Sequence, residues 1–438
     1  MYKEKRCSVL HELLNISVAI FVGLMLTRLG NKFRLPDVTA YLVAGVLIGP
    51  SLLGALGIPG LGFHSFEELG ALGAISDIAL GFIAFSIGNE FRLSQLRETG
   101  RQALIIGVLQ AVVATLLVDL ALLGVHFLFP AALSIPAAIT LGAIAAATAP
   151  AATLMVVRQY KAKGKLTDLL LPIVALDDAV GLIVFAVSFG IARALGSGVV
   201  DIYTVLVNPL LEILDSLILG SLAGLVLSRL EPIFHSNRNR VAMSISFVFL
   251  TVALSMLKIP AGRATLGFSS LLVCMMLGSV FCNLCPLSDE IMHNADRWSA
   301  PLLVLFFVIS GAELELGVFA RLSSVLIGLV YIVSRSLGKY LGARSSARLV
   351  GCDKKVVDYL GVTLLPQAGV ALGMCVTAAQ LPGDGTLIRN IVLFAVLIYE
   401  LVGPVATKWA LTKAGDIQPK GEEVLHRRER KLAAVRGK

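Results

Sequence analysis

The chain has 438 residues, of which 57% are hydrophobic and 15% charged, and its mean hydropathy is +0.86. Soluble domains run at about a quarter charged residues, so this composition excludes the two or three soluble domains that length alone would suggest. The net charge of +8 sits in Lys and Arg clusters between apolar runs. That is the pattern of cytoplasmic loops in a polytopic membrane protein, with the lipid bilayer and not nucleic acid as partner.

A spanning helix needs about 20 mostly apolar residues. Thirteen such runs are predicted, over 8–29, 37–57, 69–91, 101–127, 132–158, 167–194, 204–229, 239–257, 264–285, 297–318, 320–343, 355–380 and 386–412. The first is too long for a cleaved signal peptide and has no small-residue cleavage site. Arg28, Lys32 and Arg34 follow the first run, Arg92, Arg97 and Arg101 the third, and Arg158, Lys161, Lys163 and Lys165 the fifth. Arg229, Arg238 and Arg240 follow the seventh run, and Arg344, Arg348, Lys354 and Lys355 the eleventh. The tail "HRRERKLAAVRGK" is more basic still, whereas 58–68 and 128–135 hold no Lys or Arg. This alternation places the odd loops and the C-terminus in the cytoplasm and the N-terminus outside. Lys3, Lys5 and Arg6 run against that placement of the N-terminus.

Two runs carry an internal break. The fifth holds "ATAPAATL", with Pro150 between Thr148 and Thr153, and the twelfth "LLPQAGVALG", with Pro366 beside Gln367. Proline removes a helical hydrogen bond and clashes with the preceding turn. Within a membrane the freed carbonyls need partners, so such breaks lie inside protein or along a watery cavity. The two helices are seven apart and cross in opposite directions, as an inverted repeat of helices 4–6 and 11–13 would have it. Corresponding broken helices point to a transporter's central site.

The sixth run contains "ALDDAVGLIVF", with Asp177 and Asp178 adjacent. They lie about a dozen residues into the run, ~18 Å at 1.5 Å per residue, near the membrane midplane. Each central acid costs ~3 kcal/mol on insertion scales. Two adjacent carboxylates repel and titrate as a unit. Such a pair binds a cation when ionised and protons when not, which is the minimum machinery for exchanging one for the other. The eleventh run, "LIGLVYIVSRSLGKYLGAR", offers two bases. Arg335, near its middle, is the favoured ion-pair partner of one aspartate, and Lys339, a turn further on, is either the alternative partner or snorkels to the interface. Glu400, in "LIYELVGP", either pairs with one of these bases or is a second titrating group. "CNLC" (Cys282 to Cys285) has metal-ligand spacing but lacks a second pair or nearby His, so its cysteines are read as structural. No cofactor or resident metal is expected.

At this point a resemblance is evident. "YLVAGVLIGPSLLG" (41–54), "ALGFIAFSIGNEF" (79–91), "ALDDAVG", "ISGAELEL", "SRSLGKYLGAR" and "PQAGVALG" are similar to blocks of the second large bacterial family of monovalent cation/proton antiporters. The double aspartate is the most specific of them, and the pattern covers nearly the whole chain. The resemblance implies an all-α fold of about 13 helices with inverted repeats and two crossing broken helices. It implies a homodimer with dimerisation segments 1–95 and 236–318, a core of 96–195 and 319–413, a linker helix in 196–235 and a basic cytoplasmic tail, 414–438. It implies a secondary active antiporter exchanging Na+, Li+ or K+ for protons, with Asp178 as the ion carboxylate and Asp177 paired to the base of the eleventh helix. Two departures stand out. Electrogenic relatives carry Lys at the position aligned with Arg335. "TAPAAT" also lacks the aspartate of the electroneutral sister family, so Thr148 and Thr153 offer only hydroxyls and carbonyls.

The alternatives are a potassium/proton efflux antiporter, a carrier of organic anions and an intramembrane aspartyl protease. The first usually has a large nucleotide-sensing domain, where this chain has about 25 residues after the last run. Paired acids repel an anion. A protease needs its aspartates on different helices flanking one water, whereas neighbours on one helix point ~100° apart.

Overall fold

The computed structural model describes residues 2–32, 37–58, 60–89, 91–149, 153, 156–157, 160–196, 208–257, 259–261, 264–317 and 322–417. In chain order the helices are α1 (Tyr2–Lys32), α2 (Asp37–Ile48), α3 (Phe66–Ala71), α4 (Gly73–Asn89), α5 (Leu93–Leu128), α6 (Ile135–Ile144) and α7 (Lys165–Gly196). They continue with α8 (Asn208–Leu230), α9 (Asn237–Ser255), α10 (Ser270–Leu284), α11 (Ser288–Ala312), α12 (Leu322–Leu349), α13 (Lys354–Thr363), α14 (Gly369–Ala378) and α15 (Gly385–Ala414). Among the described residues, seven stretches are long and apolar enough to cross a membrane, the longest being Gly385–Ala414, with shorter apolar helices such as Ile135–Ile144 and Gly369–Ala378 besides. Within the described residues, each of the thirteen apolar runs contains one helix or a pair of helices. One local difference is that the ninth run does not begin helical. Residues 264–266 form β2, antiparallel to β1 (Ile259–Ala261), before α10 starts.

Both predicted breaks are present among the described residues. The fifth run is α6, whose start is capped by Ser134 Oγ accepting from Ala137 N at 3.1 Å, followed by non-helical backbone at 147–149 and helical residues at 153, 156 and 157. Pro150 lies outside the described residues. The twelfth run is α13 and α14, with Pro366 and Gln367 in the non-helical segment between them. The breaks meet directly, since Ala149 N donates to Pro366 O at 2.9 Å.

Helices α5, α6, α7, α12, α13, α14 and α15 pack around this crossing, while α1, α2, α4, α9, α10 and α11 pack with one another. The two groups meet where α15 touches α2 and where α14 touches α4. At the crossing α5 packs closely against α12. A Cβ on Gly338 would stand 2.7 Å from Ala114 Cα, and one on Gly342 would stand 2.9 Å from Gln110 Cα. Small residues four apart let two membrane helices approach to backbone contact. This pair holds the intervening Lys339 beside α5.

Candidate ion-binding site at the crossing of the broken helices

Interrupting two helices frees backbone carbonyls that a membrane interior cannot hydrate. Here side chains take them up. Gln367 Nε2 donates to Ile144 O at 3.0 Å. Arg335 donates through Nε to Ala145 O at 3.1 Å, through Nη2 to Ala147 O at 2.7 Å and through Nη1 to Leu365 O at 2.8 Å. Lys339 Nζ donates to Ala146 O. On the opposite break, Thr148 Oγ1 lies 3.4 Å from Leu364 O and Thr153 Oγ1 3.4 Å from Thr363 O. One guanidinium thus bridges carbonyls of both breaks, a task its fixed fork of donors suits and a single ammonium does not. It also lies 4.4 Å over the Tyr399 ring.

This corrects the pairing expected from sequence. Arg335 is buried and its donors are spent on backbone, and among the described residues it makes no ion pair. Lys339 makes it instead, with Nζ 2.7 Å from Asp177 Oδ2 and both side chains wholly buried. Nor does Lys339 snorkel, since the glycines around it seal it against α5. Both bases lie on the same face of α12, one turn apart, so the mid-span position that favoured Arg335 could not decide between them.

Asp177 collects two further donors. Thr148 Oγ1 donates to Oδ2 and Gln110 Nε2 to Oδ1. Gln110, on α5, also donates to Gly107 O at 3.1 Å, and its Oε1 has no partner. The amide must be oriented this way, because the reverse would set an acceptor against a carboxylate. An ammonium, a hydroxyl and an amide N–H are the donors a carboxylate accepts. Gln110 was not singled out from sequence, although a lone amide in "LIIGVLQAVVATLL" was a visible signal.

Asp178 lies in α7, with its side chain outside the described residues. Thr153 reaches the opposite break, while Thr148 reaches Asp177. Glu400 pairs with neither base, contrary to one expectation. It is 1% exposed and lies against Thr39 of α2. Cys282 and Cys285 are buried.

A bundle of membrane helices with two breaks crossing at a buried acid–base pair defines a secondary transporter rather than an enzyme. Residues 16–413 match the family described as sodium/hydrogen exchanger, transmembrane. The chain belongs to that family, and it is a cation/proton antiporter. The Na(+)/H(+) antiporter NhaS4 of Synechocystis is 24% identical over 361 residues, 80% of this chain and 84% of that protein. The Na(+)/H(+) antiporter 1 of Methanocaldococcus jannaschii is 24% identical over 450 residues, 94% and 98% of the two chains. The fold matches the solved sodium proton antiporter MjNhaP1 of M. jannaschii at pH 8 with a TM-score of 0.72 and 18% identity, covering 94% of this chain and 99% of that one.

Proposed function

We propose that the chain exchanges a monovalent cation, Na+ with Li+ or K+ as alternatives, for protons by alternating access at the crossing, with Asp178 as the group that takes cation or proton in turn. The buried Lys339–Asp177 pair carries this reading. It sits one residue from Asp178, about 18 Å into α7 at 1.5 Å per residue, and Thr148 ties it to the first break. Intramembrane acids of this kind mark ion pathways. The exchange has no nucleotide or resident metal among its requirements.

Segments 96–195 and 319–413 form the moving core. Segments 1–95 and 236–318 form the scaffold and dimer contact, with 196–235 linking them and 414–438 as a basic tail. The loop charges put the C-terminus in the cytoplasm and the N-terminus outside, in a bacterial inner membrane. The test is proton flux in vesicles with Na+, Li+ and K+ added in turn. Asp178→Asn is expected to abolish cation-driven flux while the protein stays folded. Substantial residual exchange at saturating cation would refute the assignment. A cysteine within 161–165 is expected to be labelled from the cytoplasmic side alone.

A further inference from the structure

The ion pair at the crossing leaves one mid-membrane acid unused. Glu400 stands at the midpoint of the 30-residue α15. It is 1% exposed, and its Oε1 has no hydrogen-bond partner. Among the described residues it makes no ion pair. It faces α2, where the wholly buried Thr39 lies against it, and Thr39 Oγ1 makes no hydrogen bond of ordinary geometry either. A third unpartnered oxygen, Thr407 Oγ1, lies two turns further along α15. α15 packs with the crossing helices, and α2 packs with α1 and α11, so this polar seam lies between the two helix groups.

The charged neighbours are engaged elsewhere. On α12, Arg335 caps the breaks, Lys339 holds Asp177, and Arg344 pairs with Asp358 of α13 at 3.3 Å; Arg348 there is exposed. Lys355 of α13 donates to Ala414 O and Lys354 is exposed. On α2, Asp37 is exposed at the first turn. On α7, Lys165 pairs with Asp353, Arg193 with Glu212 and Asp177 with Lys339, Asp168 is exposed, and Asp178 follows Asp177. On α15 itself, Arg389 pairs with Glu315 at 3.1 Å, Lys408 lies over the Tyr160 ring and Lys413 is exposed. Helices α6 and α14 carry no charge.

A buried carboxylate with no cation beside it, one oxygen unpartnered and a single hydroxyl against it is costly at this depth, whereas a carboxylic acid is not. We propose that Glu400 is a second proton-binding site, separate from the aspartate pair, which holds its proton while α2 and α15 are packed together and gives it to water when they part. Proton binding at the seam then favours the packed arrangement, and deprotonation favours separation. The inference rests on the proposed motion of the core against the scaffold. It differs from the assignment of Asp178 in what it predicts.

The test is sodium-driven proton flux in vesicles across a range of pH, for wild type, Glu400→Gln and Asp178→Asn. The glutamine copies the protonated acid in size and neutrality, so it should fold. Its rate should lie near that of wild type at acid pH and fall progressively below it as pH rises. The ratio of wild-type to variant rates should therefore climb several-fold across the range, and Glu400→Asp should restore the climb. Thr39→Ala, which removes the hydroxyl that lies against the acid, should move the climb to higher pH. A ratio that stays flat with pH, or a Thr39→Ala profile that coincides with wild type, would overturn the proposal. Persisting exchange in Asp178→Asn would instead strike the central assignment and leave the seam proposal standing.

Discussion

Lys339 Nζ and Asp177 Oδ2 lie 2.7 Å apart with both side chains wholly buried. This pair, and not one with Arg335, is the charge at the heart of the crossing. Breaking a buried pair from one side leaves an uncompensated charge and typically costs ~3–5 kcal/mol. Lys339→Gln alone and Asp177→Asn alone are each expected to lower the thermal midpoint of the detergent-solubilised protein. The double variant, neutral on both sides, should recover much of the loss. Additive losses in that double-mutant cycle would mean the two groups do not interact.

Gln110 gives Asp177 a donor that no change of protonation can remove. Gln110→Leu preserves bulk but withdraws that donor and exposes Asp177 to an apolar neighbour. A lost hydrogen bond to a charged group costs about 1.5–3 kcal/mol. The variant should therefore lose thermal stability, and Asp177→Asn in its background should cost less than in wild type. Equal costs of Asp177→Asn in the two backgrounds would show that the amide does nothing for the carboxylate.

Glu313 lies just past the end of α11, 3.9 Å from Arg389. Burial raises its carboxyl above the usual 4.5, with the Arg389 charge opposing. A carboxyl whose pKa is higher folded than unfolded contributes stability that is complete below 4.5 and is lost as pH rises through the folded value. Glu313→Gln cannot deprotonate, so the variant's thermal midpoint should gain on wild type as pH goes from about 4 to about 7. A constant difference across that range would exclude a folding-linked proton at this residue.

The sequence carried the helices and their breaks because both are local. Apolar runs of spanning length and prolines at 150 and 366 need no partner to be read. The double aspartate stood out for the same reason, as charge in an apolar run. What escaped was pairing across the bundle. Arg335 and Lys339 share a face of α12, and only the close packing of Gly338 and Gly342 on α5 decides which reaches Asp177. The eight carbonyls that the breaks expose, from 144–147 and 363–366, are equally silent in sequence. Seven of them accept from Gln367, Arg335, Lys339, Thr153 and the Ala149 amide, which gives Arg335 a structural task apart from proton exchange. Glu400 was visible as a mid-helix acid, but its neighbour Thr39 is more than three hundred residues away in the chain.

The identity of the base bears on the exchange ratio. Had arginine held Asp177, it would have stayed protonated at any physiological pH, and one proton per cation would follow. Lysine can give up its proton when a cation arrives beside its partner. Asp177 would then remain a carboxylate held by Gln110 and Thr148, while one proton leaves Lys339 and another leaves Asp178. Two protons against one monovalent cation move net charge, so the rate and end-point of exchange in vesicles should follow an imposed membrane potential. Lys339→Arg keeps the positive charge but withdraws the proton. Where that variant still transports, its end-point should no longer follow the potential, and its pH dependence should be shallower by one proton. Arg335→Lys should leave the response to potential intact and act instead on stability, because one ammonium cannot serve the carbonyls of Ala145, Ala147 and Leu365 together. Exchange in the wild type that ignores the potential would mean that Lys339 keeps its proton throughout the cycle and that Asp178 exchanges alone.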